Sequence, residues 1–351
     1  MRYTTFGRRT GLRVSEYALG TGNFGTGWGA GTERNEAKAI FDRFVEAGGN
    51  FIDTADTYQA GQSEQLVGEF IHRGRDDLVL ATKFTVGASP ERKLQRTGNA
   101  RKNLRISVEE SLTRLNTDYI DVLWVHYPDA LTPVEELLRG LDDLVSQGKI
   151  LYVAFSNFPA WRVSRASLLA DVSGWAPVAG IQVEYSLVER TAERELLPMA
   201  EALGLGVTLW SPLGGGLLTG KYRQSSEGRL SDWGNLVHTE TDAQTTATVD
   251  AVIDIAERVG RTPAQVATAW VRERARRLVT PGIPIIGPRR LSQLDDYLAA
   301  LTLDLDDAQC DRLDEVSQIP LGIPHQANQK ALNGLQGGQS SEFDAPVVPV
   351  A

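Results

Sequence analysis

Four polar residues stand at or just beyond the ends of short apolar runs, and together they would make a proton donor. Asp53 closes the run Asn50–Asp53, Lys83 closes Leu78–Lys83 and His126 closes Ile120–His126, while Tyr58 follows Asp53 in Thr54-Ala55-Asp56-Thr57-Tyr58. A free tyrosine titrates near pH ~10. An ammonium about 4 Å from its oxygen would contribute about 4 kcal/mol at an effective dielectric of about 20, close to three pK units. That would bring the phenol toward working pH, where general acid catalysis is most effective. Asp53 would hold Lys83 charged, and His126 would hydrogen-bond the substrate oxygen and orient it. Each residue alone has a plainer reading: Asp53 with Lys83 as a satisfied ion pair, His126 as a strand-end side chain, Tyr58 as a surface loop residue. Their joint placement favours proton transfer at a carbonyl. A Schiff-base aldolase or isomerase would need a neutral, desolvated Lys83, which Asp53 opposes. His72, His238 and His325 share no ligand spacing with His126, and Cys310 is the single cysteine. No metal site and no intramolecular disulfide are therefore expected.

These side chains converge only if their runs are neighbours. Eight runs rich in Val, Ile and Leu can be marked: Tyr17–Gly20, Asn50–Asp53, Leu78–Lys83, Ile120–His126, Ile150–Phe155, Ala179–Glu184, Gly206–Trp210 and Pro284–Gly287. Continuous apolar runs suit strands buried on both faces of a parallel sheet. Between them lie helical stripes, such as Ala37, Ile40, Phe41, Phe44 and Val45, or Val134, Leu137, Leu138, Leu141, Leu144 and Val145 with Gly148 as a C-terminal stop. The stripe Leu104, Val108, Leu112 and Leu115 repeats the pattern, as do those at 196–203, 249–259 and 291–301. Eight strand–helix units predict an α/β fold closed into a (β/α)8 TIM barrel, since doubly wound sheets usually carry fewer. On such a barrel reactive residues sit at the C-terminal ends of strands, where Asp53, Lys83 and His126 lie. Tyr3–Phe6 and Leu12–Val14 flank a Gly-Arg-Arg-Thr-Gly turn and read as an N-terminal β-hairpin plugging the barrel bottom.

The chain of 351 residues is 42% apolar and 23% charged, an ordinary globular composition that excludes disorder and a membrane bundle. Its net charge of −9 argues against nucleic-acid or anionic-membrane partners, which need a basic face. No leader-like apolar segment opens the sequence, so a cytoplasmic protein is expected. One domain over 1–320 and a partly disordered tail over 321–351 are expected, with periodicity lost near Gly334; a homo-oligomer is allowed. A long polar loop, 220–246, follows the seventh strand and holds Trp233 and His238; it reads equally as a lid or as a solvated loop. Gly20-Thr21-Gly22-Asn23-Phe24-Gly25 matches GxGxxG after a strand. A dinucleotide fingerprint, however, needs its third glycine inside the opening helix. Here Gly27, Gly29 and Gly31 prolong the loop and helical period begins near Asn35, so this match is set aside.

Six ordered segments resemble the aldo-keto reductases over residues 1 to about 320. They are Gly-Asn-Phe-Ile-Asp-Thr-Ala-Asp-Thr-Tyr (49–58), Ala-Thr-Lys (81–83), Trp-Val-His-Tyr-Pro-Asp (124–129), Phe-Ser-Asn-Phe (155–158), Trp-Ser-Pro-Leu-Gly-Gly-Gly-Leu-Leu-Thr-Gly-Lys (210–221) and Pro-Ile-Ile-Gly-Pro-Arg (284–289). The resemblance implies a barrel that binds NADP(H) and transfers hydride reversibly between the nicotinamide and the carbonyl of a small aldehyde or ketone. It implies Tyr58 as general acid, tuned by Lys83 and Asp53, and His126 as orienting group. Ser156, Asn157 and Gln182 match the positions that hold the carboxamide, and Trp210 the one that stacks on the ring. Ser211, Leu213, Gly216 and Lys221 fall where the pyrophosphate is covered. Gly287, Arg289, Gln293 and Asp296 fall around the adenine ribose. Arg289 would favour NADP through a 2′-phosphate, or else be a solvated helix-start arginine. Tyr297 stands where many relatives carry Asn. Phe24, Trp28, Phe84, Tyr127 and Trp233 would line an apolar pocket or serve as packing. A second reading is a slowly turning cofactor-binding regulatory subunit, similar to the channel-associated β subunits of this superfamily.

Overall fold

The computed structural model describes residues 1–72, 74–91, 93–224, 238–344 and 346–350. Eight parallel strands close into a barrel: β3 (Ala18–Gly20), β4 (Phe51–Asp53), β5 (Val79–Phe84), β6 (Ile120–Val125), β7 (Ile150–Ser156), β8 (Val178–Glu184), β9 (Gly206–Trp210) and β10 (Gly282–Ile286). Neighbours in sequence are neighbours in the barrel, and β10 pairs with β3 to close it. The register sets Asp53 beside Gly20 and Ala81, Lys83 beside Trp124 and Ser156 beside Gln182. The expected barrel is therefore the observed one. The last strand starts two residues earlier than the apolar run and leaves Gly287 just beyond it.

The N-terminal hairpin pairs β1 (Tyr3–Thr5) with β2 (Arg13–Ser15). Phe6 leaves it and enters the barrel, fully buried and edge-on to Phe51 and Trp124 at 5.8 and 6.0 Å. Glycine is required opposite it, because a Cβ on Gly180 or Gly206 would lie 2.5 or 2.7 Å from the Phe6 ring. The aromatic plug and the two glycines are thus one packing solution at the bottom of the barrel.

The helices follow the apolar stripes: α1 (Arg34–Glu46), α2 (Gln62–Ile71), α3 (Arg101–Leu115), α4 (Val134–Ser146), α5 (Ala160–Ser173), α6 (Leu196–Leu203), α7 (Ala243–Val259), α8 (Pro263–Arg277), α9 (Leu291–Ala299), α10 (Asp307–Ser317) and α11 (His325–Leu335). In α4, Leu137, Leu138, Leu141 and Leu144 are buried against the sheet, and Glu135 and Glu136 complement the helix dipole in the first turn. Gly148 takes φ +71° and its N–H bonds Val145 O, ending the helix as the sequence predicts. The stripes did not single out α2, α8, α10 or α11. Of these, α8 opens on a capping box, Thr262 with Gln265, and has Pro263 at its first position, a signal readable in the sequence. The C-terminal segment contains α11, none of whose side chains is buried.

Candidate active site

Backbone hydrogen bonds carry the β4–β5 ladder past the strand ends: Thr54 N to Ala81 O at 2.9 Å and Asp56 N to Lys83 O at 3.0 Å. The segment leading to Tyr58 is therefore an extension of the sheet. Lys83 Nζ donates to Asp53 Oδ2 at 2.5 Å, to Thr54 O at 2.7 Å and to the Tyr58 hydroxyl at 3.1 Å. Lys83 and Asp53 are almost completely buried. His126 N donates to Phe84 O at 3.1 Å, and its ring lies edge-on to Tyr58 at 6.0 Å between centroids. All four residues expected at the strand ends are together.

Their protonation follows from what surrounds them. Burial by itself would lower the Lys83 pKa, but Asp53 and Tyr58 reverse that and hold it above the usual lysine value, so Lys83 is a cation. Burial pushes the Tyr58 phenol up, and the nearby Lys83 charge only partly opposes it while Asp53 adds to it. This corrects the expectation that Lys83 brings Tyr58 toward neutral pH. Forming a phenolate in a desolvated spot costs more than one paired cation returns. Burial, then repulsion by Lys83, keeps His126 well below the ordinary histidine value, so the imidazole is neutral. Its buried Nδ1 has no hydrogen-bond partner among the described residues.

The same network runs along the rim. Gln182 Nε2 donates to Asp53 Oδ1 at 2.9 Å, and Asn157 Nδ2 donates to His126 O and to Ser156 Oγ, both at 3.0 Å. Asn157 is held at φ +60°, with its N–H on Gln182 O at 3.1 Å. Among the described residues neither the Asn157 nor the Gln182 amide oxygen accepts a hydrogen bond, so both can take an amide N–H from a ligand. Trp210, half-buried at the end of β9, packs against the cluster inside the barrel.

Beyond Trp210 the chain turns at Ser211, φ +60°, whose hydroxyl accepts Gly215 N–H at 3.0 Å. Gly214, Gly215 and Gly216 follow with φ of 54, 67 and 101°. A Cβ on Gly216 would come within 3.3 Å of Lys221 Nζ, so the lysine lies over bare backbone. Leu213 is half-buried beside this turn. On the adjacent strand's exit, Gly287 O accepts Asn23 Nδ2 at 3.0 Å and Arg289 Nε donates to Asn23 Oδ1 at 3.3 Å. Gln293 and Asp296 already have protein partners: Gln293 Oε1 accepts Arg289 N–H at 2.8 Å, and Asp296 Oδ1 accepts Gln265 Nε2 at 2.9 Å. Tyr297 is buried.

The aromatic set divides. Phe24 and Phe84 are core, whereas Trp28 and Tyr127, 42% and 45% exposed, flank Tyr58 and His126. Trp28 meets Tyr58 edge-on at 6.1 Å, and Tyr127 stacks on His126 at 4.6 Å. Trp233 lies outside the described residues. The described ends of the 220–246 segment are pinned: Arg223 pairs with Glu240 and Asp250, and His238 Nε2 lies 3.0 Å from Glu184 Oε1. Neither Asn23 nor Asp56 carries a signal of its own in the sequence; Asn23 sits inside the Gly20–Gly25 match to GxGxxG. Among the described residues no cluster of metal-ligating side chains occurs, and no helix is long and apolar enough to cross a membrane.

The sequence profile of the Aldo/keto reductase family matches residues 17–318. The chain belongs to this family. As an aldo/keto reductase it is an oxidoreductase acting between carbonyl and alcohol with a nicotinamide cofactor. It is 36% identical over 323 residues to a norsolorinic acid reductase of Aspergillus flavus, covering 90% of this chain and 80% of that one. It is 35% identical over 340 residues to an aryl-alcohol dehydrogenase [NADP(+)] of Phanerodontia chrysosporium, covering 90% and 86%. An uncharacterized oxidoreductase of Bacillus subtilis, YrpG, is 36% identical over 334 residues, covering 92% and 98%. Two of these relatives are named as a reductase and a dehydrogenase and the third as an oxidoreductase, which does not favour the regulatory-subunit reading.

Proposed function

We propose that this aldo/keto reductase uses NADP(H) to reduce aldehydes and ketones reversibly, with Tyr58 as the proton donor. The observation that carries the reading is the Lys83 ammonium bonded to both Asp53 and the Tyr58 hydroxyl, at 2.5 and 3.1 Å. Tyr58 stays a neutral phenol because burial raises its pKa, and a neutral phenol is the form that donates to a carbonyl oxygen gaining negative charge. Lys83, held cationic beside it, stabilises the phenolate that remains. Asp53 anchors Lys83 and is itself held by Gln182. Neutral His126 offers an N–H to the same substrate oxygen and orients it. The bound reduced nicotinamide would supply the hydride that the carbonyl carbon accepts.

The donor set fits that cofactor. Ser156, Asn157 and Gln182 would present a hydroxyl and amide oxygens to a carboxamide, with Trp210 at the end of the strand next to that of Gln182. Ser211, Leu213, the bare Gly216 backbone and Lys221 form a cradle suited to a pyrophosphate. Gly287 and Arg289 continue it, and Arg289 offers a planar guanidinium to a 2′-phosphate, with Gln293 and Asp296 holding the segment in place. The NADP(+) in a relative's name agrees with this choice. The same relative's aryl-alcohol name, with Trp28 and Tyr127 beside Tyr58, makes aromatic aldehydes the first substrates to try. We place the enzyme in the cytoplasm, with 1–320 as its catalytic unit and 321–351 as an appended tail.

The test is Tyr58→Phe with an aromatic aldehyde, following loss of NADPH absorbance. Turnover is expected to fall by about 10³-fold, within the range of general acid catalysis, while NADPH affinity changes less than about threefold. Retained turnover would remove Tyr58 from this role.

A further inference from the structure

The residue after Tyr58 does unusual work for its position. Gln59 is fully buried and left-handed, at φ +51°, and Ala60 follows at φ +54°. Non-glycine residues adopt this conformation in succession only where surrounding contacts hold them there. The Gln59 amide supplies those contacts, and all go to one loop. Its Nε2 donates to Gly22 O at 3.0 Å and to Ala30 O at 3.1 Å, and its Oε1 accepts Trp28 N–H at 3.0 Å. A second glutamine, Gln62, accepts Thr26 N–H at 2.9 Å.

The glycines of that loop make the seating possible. A Cβ on Gly27 would lie 2.2 Å from Gln59 O, so the loop backbone rests directly on the backbone of residue 59. A Cβ on Gly22 would sit 3.7 Å from the Tyr58 ring, in ordinary contact. The loop is also tied on its other side, where Thr32 Oγ1 donates to Arg289 O at 3.1 Å. Within the run of glycines that resembles a dinucleotide fingerprint and its extension, Gly25 and Gly27 are therefore the close-packing positions for Gln59, a Cβ on Gly25 lying 3.1 Å from Gln59 Cβ. What the loop delivers is Trp28, edge-on to Tyr58 and 42% exposed at the barrel mouth. His126 also meets the Tyr58 ring edge-on, at 6.0 Å, with Tyr127 stacked on it at 4.6 Å.

We infer that Gln59 is a positioning residue that sets substrate choice: by hydrogen-bonding Gly22, Trp28 and Ala30 it fixes Trp28 as one wall of a slot for flat aromatic carbonyl compounds. The inference rests on the reading of Tyr58 as proton donor. Loss of the amide removes the hydrogen bond that holds the Trp28 backbone at the Tyr58 edge, and an aromatic substrate then loses part of a wall that a small aliphatic one hardly uses.

The experiment compares kcat/KM for benzaldehyde and for butanal, with NADPH, in wild type, Gln59→Ala, Trp28→Ala and the double variant. Wild type is expected to prefer benzaldehyde. Each single variant is expected to lower the benzaldehyde-to-butanal ratio by about tenfold, through KM more than kcat, the scale of one lost aromatic contact. Because both changes remove the same wall, the double variant should lie within about twofold of Trp28→Ala. Multiplying losses, or an unchanged ratio in Gln59→Ala, would overturn the inference. NADPH titration reports whether a variant is folded. If Gln59→Ala is not, Gln59→Glu, which keeps the acceptor for Trp28 N–H but loses both donated bonds, carries the comparison, with a fall of at least about threefold expected. Wild type reducing neither aldehyde would overturn the proposed function together with this inference, whereas a wild type active on butanal without an aromatic preference overturns this inference alone.

Discussion

Replacing Lys83 by Met keeps much of the side chain's volume and removes one charge from the buried network. At the 3.1 Å separation from the Tyr58 oxygen, the interaction is about 5 kcal/mol at an effective dielectric of about 20, near four pK units of phenol acidity. Burial already holds Tyr58 above the ordinary phenol value with Lys83 present, so its loss drives the pKa further up. With the proton about half transferred in the transition state, kcat for reduction should fall by about 10²-fold. Alcohol oxidation, which needs the phenolate, should fall more, and the alkaline rise of its pH profile should move up by at least about one unit. The fold is affected as well. Asp53 would keep Gln182 as a partner but lose its cation, and breaking a buried pair costs about 3–5 kcal/mol. Adding Asp53→Asn removes the stranded charge, so the double variant should recover most of the stability and none of the turnover. The assays are NADPH absorbance with an aromatic aldehyde across pH, and denaturant unfolding of wild type, the single and the double variant. A Lys83→Met enzyme within about fivefold of wild type, with an unshifted oxidation profile, would refute the electrostatic argument.

Arg289→Ala should weaken NADPH by about 10- to 100-fold, the scale of a charge-assisted contact, and NADH by less than about threefold; equal losses would argue against a phosphate contact. Asp56 is buried with one oxygen unpartnered among the described residues, and burial together with the Glu64 charge pushes its pKa up to about 7. A carboxyl raised in the folded state binds its proton more tightly there than in the unfolded chain. Its contribution to stability is therefore full below about pH 4 and is lost as pH rises through about 7. Asp56→Asn should match wild type near pH 4 and exceed it by a few kcal/mol above pH 7 in denaturant unfolding, and a difference independent of pH would contradict the assignment.

How much of this was legible in the residues varies with the distance over which they act. The order of apolar runs and helical stripes determines a barrel, because each strand–helix unit is local and sequence neighbours pair in space. Once the barrel is granted, Asp53, Lys83 and His126 at run ends must meet, since neighbouring strands stand about 4.8 Å apart. Three things were decided only by tertiary structure. The sign of the Tyr58 shift depends on how completely its surroundings exclude water, which no spacing reveals; the sequence suggested a lowered pKa and burial raised it. Phe24 and Phe84, indistinguishable in sequence from Trp28 and Tyr127, are turned into the core, because each strand or loop position faces inward or outward according to the register of its neighbours. The glycines of 20–31 spell a phosphate loop in one dimension. In three, Gly25 and Gly27 lie against Gln59 and Gly22 against Tyr58, contacts set by the path of the chain from residue 22 to residue 59 and by no pattern within either segment.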